Sequence, residues 1–255
     1  ILIIKIKKGI KMNIKLISIC TLTLLLILSA CEDTSKAKQQ TSYKKSFIGG
    51  SEGLVMSFLP GAPPQEVFDK AFPFGINLKI QNKGEYTIER NTDVTLQIIG
   101  IDPADFGTTA SALLKDLEPG SAPFRGQSKD PQGTLIEGST ANFDFPTLQY
   151  ARDITGSPEF VLRANICYSY GTKSISEICL LEDLLGTSRK SGEEAFCKPN
   201  EAKQSEHSAA PVAVDGFRQS VVGRDRLSFQ FRVFHSGKGS MSKLGTECSS
   251  DIVNK

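Results

Sequence analysis

Six cysteines, two histidines and a scatter of hydroxyl and carboxyl groups are the side chains from which this chain could build chemistry. Cys31 comes first. Leu28-Ser29-Ala30-Cys31 closes an apolar run from Leu16 to Ala30, and Lys5, Lys7, Lys8, Lys11 and Lys15 precede that run. A basic flank, a short apolar core and small residues before a cysteine form the pattern of a bacterial or archaeal lipobox. There the peptide is cut before the cysteine, whose thiol carries lipid. The chemistry expected at Cys31 is therefore lipid attachment, which tethers a chain without a spanning helix. The apolar run falls short of the ~20 residues that a spanning helix needs. The plainer alternative is an ordinary cleaved signal or an uncleaved anchor, with Cys31 incidental. Met12-Asn13-Ile14-Lys15 has the form of a signal-peptide start, so Ile1 to Lys11 reads as upstream over-translation or the edge of a fragment. Cys20 lies inside the apolar run and leaves with it.

Cys167, Cys179, Cys197 and Cys248 remain, an even count behind a secretion signal, which predicts two disulfides among three possible connectivities. Zinc would need cysteines paired about two to four residues apart; no spacing here fits, and no C-x-x-C redox motif exists. A Ser-His-Asp set could be drawn from Ser236, His235 and Asp225, but neighbours on a strand point to opposite faces, so His235 could hardly serve Ser236 as a base. His207 sits in a polar, linker-like region. Asp102 and Asp105 are a close carboxylate pair, yet Asp102-Pro103 has the form of a helix cap followed by proline at the first helical position. Ser236-Gly237-Lys238-Gly239 lacks the spacing of a phosphate loop and predicts a turn. No catalytic residue, metal ligand or cofactor site is assigned, and an enzyme is not expected.

Residues 1–30 hold five lysines and no acid, so the chain's 30 Lys+Arg and 28 Asp+Glu become 25 and 28 without them, a balance of −3. The basic excess belongs to the leader, which argues against nucleic acid as a partner. About 225 residues remain, room for one large or two small β-domains at ~100–150 residues each. Arg218, Arg224, Arg226, Arg232, Lys238 and Lys243 make the C-terminal part locally basic, the pattern of a solvated face or of a site for an acidic glycan or lipid headgroup.

The elements that must hold these groups are strands. Glu32 to Ser46 is polar and predicts a flexible tether. Gly49-Gly50-Ser51-Glu52-Gly53 leads into a strand from Leu54 to Leu59 and so predicts a bend, since a phosphate loop leads into a helix. Phe72, Phe74, Ile76, Leu78 and Ile80 occupy alternate positions, as do Val94, Leu96 and Ile98, which predicts strands with one buried face. Asn82-Lys83-Gly84 predicts a turn, with glycine free to take positive φ. Ser111 to Leu117 predicts a short helix, and Thr134 to Phe145 a strand with Phe143 and Phe145 inward.

A hairpin is expected over 160–182, with Phe160, Leu162, Ala164, Ile166, Tyr168 and Tyr170 on one face and Cys167 on the other. If Cys167 faces Cys179, then Tyr168 faces Ile178 and Ile166 faces Leu180, so one register serves core and disulfide together. The expected bonds are Cys167–Cys179 and, by elimination, Cys197–Cys248. Thr187 to Ala210 reads as a linker. Val212-Ala213-Val214 and the alternating Leu227, Phe229, Phe231 and Val233 open a second β unit, too short for an Ig-like sandwich of ~100 residues. An edge left open in this way is a surface for strand addition.

Several stretches carry a resemblance. Gly49-Gly50 through Pro63-Pro64, Asn82-Lys83-Gly84-Glu85-Tyr86, Cys167-Tyr168-Ser169-Tyr170-Gly171-Thr172 with Ile178-Cys179, and Ala210-Pro211-Val212-Ala213-Val214 resemble membrane-tethered envelope proteins of small-genome archaea with tandem Ig-like, adhesion-module-like domains. The resemblance spans most of residues 49–248 and implies a β-sandwich fold at a cell surface, with no catalytic residues. The organisation expected is all-β: a signal peptide over 1–30, lipidated Cys31 and tether over 31–46, an Ig-like sandwich over 47–186, a linker over 187–210 and a partial Ig-like unit over 211–255. The expected function is that of a non-catalytic interaction or structural lipoprotein on the extracytoplasmic face of the cell membrane. It would be held by lipid on Cys31 and would meet a protein or glycan partner. The alternatives are a solute- or glycan-binding lipoprotein and, less favoured, a cell-envelope hydrolase.

Overall fold

The alternating segments become strands because a backbone of period two can bury one row of side chains while the other stays wet. The structure, a computed structural model, describes residues 45–68, 70–187 and 195–243. In chain order its strands are β1 (Leu54–Phe58), β2 (Asn77–Asn82), β3 (Val94–Ile99), β4 (Leu114–Asp116), β5 (Ser128–Lys129), β6 (Leu135–Ile136), β7 (Thr140–Asp144), β8 (Arg163–Tyr168), β9 (Ser174–Ser176), β10 (Glu201–Ala202), β11 (Ser205–His207), β12 (Val212–Val221) and β13 (Leu227–His235). The chain is mainly β, as its sequence predicts.

Two antiparallel sheets, ordered β1-β2-β7 and β4-β3-β8, feed one core. Ile76, Leu78 and Ile80 meet Val94, Leu96, Ile98 and Phe143 there, joined by Phe106, Leu113, Leu117, Phe124 and Leu148. Each such side chain contributes on the order of 1.5–3 kcal/mol by leaving water. Phe145 is buried with them, whereas Phe72, at the head of the first alternating run, is exposed. The strand orders carry the Ig-like expectation no further than two antiparallel sheets on a common core.

The remaining strands form the pair β5–β6, the pair β9–β11 and a sheet ordered β10-β12-β13. β12 and β13 make a long ribbon whose register shifts between Asp215 and Arg218. Gly216 sits at that shift with φ 64, a bulge conformation that a side chain would strain.

Three local expectations are corrected. Ser111–Leu117 is not a helix: turns lead into β4, which pairs with β3 and lets Leu113 and Leu117 reach the core. No hairpin joins β8 to β9, because β8 pairs with β3 and β9 with β11, leaving Ile178 and Leu180 exposed. The stretch read as a linker holds β10 and β11, which pair with β12 and β9. The described residues from Lys45 onward fall in one compact unit. Asp102 does cap a single 3-10 turn, Pro103–Phe106, its Oδ1 accepting from Ala104 N at 3.0 Å.

Candidate functional site

The groups that could have formed a hydrolytic set are kept apart. Asp225 lies in the turn before β13 and His235 at its far end, and the strand between them spans about 26 Å from Leu227 to His235 at ~3.3 Å per residue. Ser236 donates from its hydroxyl to Pro211 O at 3.3 Å, and its amide bonds to the same carbonyl. Asp105 pairs with Arg152, Nε to Oδ1 at 2.5 Å. His207 Nδ1 lies 3.0 Å from Ser208 O on β11. Among the described residues, no group of three or more His, Cys, Asp or Glu side chains could hold a metal ion.

The strongest polar constellation is structural. Asn82, at the end of β2, is fully buried: its Nδ2 donates to Tyr86 O at 2.8 Å and Phe124 O at 3.2 Å, and its Oδ1 accepts from Tyr170 Oη at 2.8 Å and Gly84 N at 3.2 Å. Every polar position of that amide is used, the condition under which a buried polar group stabilises a fold. Beside it the Glu85 carboxylate accepts from the amides of Ile48, Gly49 and Ala209 at 3.0, 3.1 and 2.6 Å. It thereby ties the entry of the chain to the residues before β12. Burial raises the Tyr170 and Tyr168 hydroxyls above the ordinary tyrosine range. Gly84 does not take the positive φ expected of it. It is needed because a Cβ would strike Tyr170 Oη and come within 2.6 Å of Glu52 O and 2.7 Å of Ala209 O.

The cysteines connect differently from expectation. Cys179 bonds Cys197, with Cα atoms 5.8 Å apart, which excludes both Cys167–Cys179 and Cys197–Cys248. Fully buried Gln219 on β12 explains why: its Oε1 accepts from Cys179 N at 2.8 Å and its Nε2 donates to Cys179 O at 2.7 Å. β10, which follows Cys197, pairs with the same stretch of β12, so both cysteines are delivered to Gln219. Cys167 stays on β8 opposite Thr95 and is itself disulfide-bonded. Cys31, Cys248, the expected leader and most of the expected tether lie outside the described residues. No helix among the described residues is long and apolar enough to cross a membrane.

β13 is the surface that these contacts leave uncovered. Among the described residues it pairs on one side only, with β12. Phe229, Phe231 and Val233 are 43%, 59% and 56% exposed on one face, with Phe217 of β12 against Phe229 at 5.5 Å between ring centres. Val222 N bonds Arg226 O, and Ser236 N bonds Pro211 O. Antiparallel pairs alternate between bonded and unbonded, so the residues turned toward β12 are 228, 230, 232 and 234. The backbone groups of Leu227, Phe229, Phe231, Val233 and His235 therefore point out to the open edge. Arg232 lies on the other face, bonded to Asp215 at 2.9 and 2.8 Å and stacked on Phe234 at 4.7 Å. Hydrogen bonding to Arg232 holds the Asp215 carboxyl below its usual range.

An open cleft of about 530 Å³ lies between Lys70, Phe106, Thr147, Gln149 and Tyr150. Phe106 and Tyr150 turn their rings into the core, and Lys70 is ion-paired to Asp153. With its aromatic residues almost wholly buried and its lysine ion-paired, the cleft offers less than β13.

No protein family, curated protein or solved structure matches this chain.

Proposed function

We propose that the chain is an extracytoplasmic lipoprotein, held to a membrane through lipid on Cys31, that acts as a non-catalytic interaction or structural module along β13. The observation that carries the reading is the open, apolar, nine-residue edge of β13. Such an edge presents unpaired amides and carbonyls as a template for another strand. The lipobox pattern at Leu28–Cys31 supplies the tether, and the resemblance to envelope proteins with adhesion-type modules agrees with this use. The length of β13, which separates Asp225 from His235, argues against a hydrolytic set of Ser236, His235 and Asp225.

Two measurements on intact cells test it. A photoreactive residue at position 231 should yield discrete intermolecular adducts, whereas one at exposed Val55 on β1 should not. Radiolabelled lipid should stay with the chain and be lost in Cys31→Ser. Adducts absent at 231, or label retained in Cys31→Ser, would contradict the interaction and the tether respectively.

A further inference from the structure

The other edge strands of the core are short: three residues in β4, five each in β1 and β7, six in β8. β13 is longer, and its outward row reads Leu227, Phe229, Phe231, Val233, His235. Neither proline nor lysine, the usual guards of an edge, interrupts it.

This row is complementary to itself when reversed. Placing a two-fold axis at residue 231 sets Phe231 against the partner's Phe231, Phe229 against the partner's Val233 and Leu227 against the partner's His235, with all nine residues paired. These are the positions whose backbone groups point outward, so N–H meets C=O across the axis. On the opposite face Gln230 meets the partner's Arg232. Moving the axis to residue 232 would set two arginines face to face, which like charge disfavours. At 231 each Arg232 remains neutralised by the Asp215 of its own chain, 2.8 Å away.

We infer that β13 pairs antiparallel with β13 of a second copy of this chain, joining two β10-β12-β13 sheets into one six-stranded sheet. The inference rests on the proposed interaction role of β13 and names its partner. Two copies tethered to the same membrane meet at raised effective concentration, which favours pairing through a single strand.

Sedimentation equilibrium of the full chain in density-matched detergent tests it, with Val55→Lys, Phe231→Lys and Phe229→Lys beside the native sequence. The native chain and Val55→Lys should have twice the mass of one chain, and the two β13 variants the mass of one. A dimer that survives both β13 variants would overturn β13 as the interface. A monomeric native chain would overturn self-pairing, and amide exchange at 229, 231 and 233 then decides what else falls. Fast exchange leaves the edge free for a different partner; slow exchange means the chain covers its own edge, and the interaction role fails too.

Discussion

β2 and β13 carry the same signal in sequence and meet opposite fates. In β2 and the residues before it, Ile76, Leu78 and Ile80 alternate and are sealed. In β13, Phe229, Phe231 and Val233 alternate as cleanly and stand in solvent. β2 lies between β1 and β7, with β3 contributing to the same core, whereas among the described residues β13 has a neighbour on one side only. Alternation marks a strand with an apolar row; whether that row has a cover depends on what packs against its face, which is a non-local property. The sealed region supplies the stability, and the open one is left with surface to share.

Truncation should separate the two regions most sharply. Leu96→Ala should cost about 2–5 kcal/mol in denaturant unfolding, because a sealed core cannot close the cavity. Opening the Cys179–Cys197 bridge, which closes a separation of 18 residues, should cost about 3 kcal/mol by chain entropy. Peptide mapping without reduction should show that pair; a Cys167–Cys179 peptide would contradict it. If Cys20 leaves with a leader and Cys31 carries lipid as proposed, the same map should join Cys167 to Cys248. Gly84→Ala should cost about 2–3 kcal/mol by driving a methyl into fixed backbone atoms.

Alkali should act on the sealed region. The Tyr168 and Tyr170 hydroxyls titrate higher when folded than the ~10 of the unfolded chain, so the unfolded chain loses these protons first. Their contribution is intact below pH ~10 and falls as pH rises above it. Tyr170→Phe should flatten that decline in a series of unfolding curves. Phe231→Ala in monomeric chain should be the mildest change, within about 0.5 kcal/mol, since its ring leaves little shelter on unfolding. A loss as large as that of Leu96→Ala would show that β13 is covered after all.

Much of the first region was legible in the residues. Ile76, Leu78, Ile80, Val94, Leu96, Ile98, Phe143 and Phe145 follow from period two, and the cap at Asp102 from Asp-Pro. Where long-range pairing decides, local pattern misled. The register that opposed Cys167 to Cys179 was locally consistent, but β3 and β11 compete for the two strands and take them. Ser111–Leu117 has helix-forming residues, yet β3 offers it a sheet edge. Gln219 and Asn82 gave no sign of burial, because an amide's partners are backbone groups brought from elsewhere. Of the candidate site, an open edge was expected from a C-terminal unit too short for a complete sandwich, and among the described residues β13 does pair on one side only. The Arg232–Asp215 clasp needs the register across the bulge at Gly216.

Residue-resolved amide exchange on the full chain, at low and high protein concentration, compares the two regions in one experiment. The amides of Leu78 and Ile80 should be protected at both concentrations. Those of Phe229, Phe231 and Val233 should exchange freely when dilute and become protected when concentrated, while 228, 230, 232 and 234 stay protected throughout. Protection of 229, 231 and 233 that does not depend on concentration would contradict an open edge on β13.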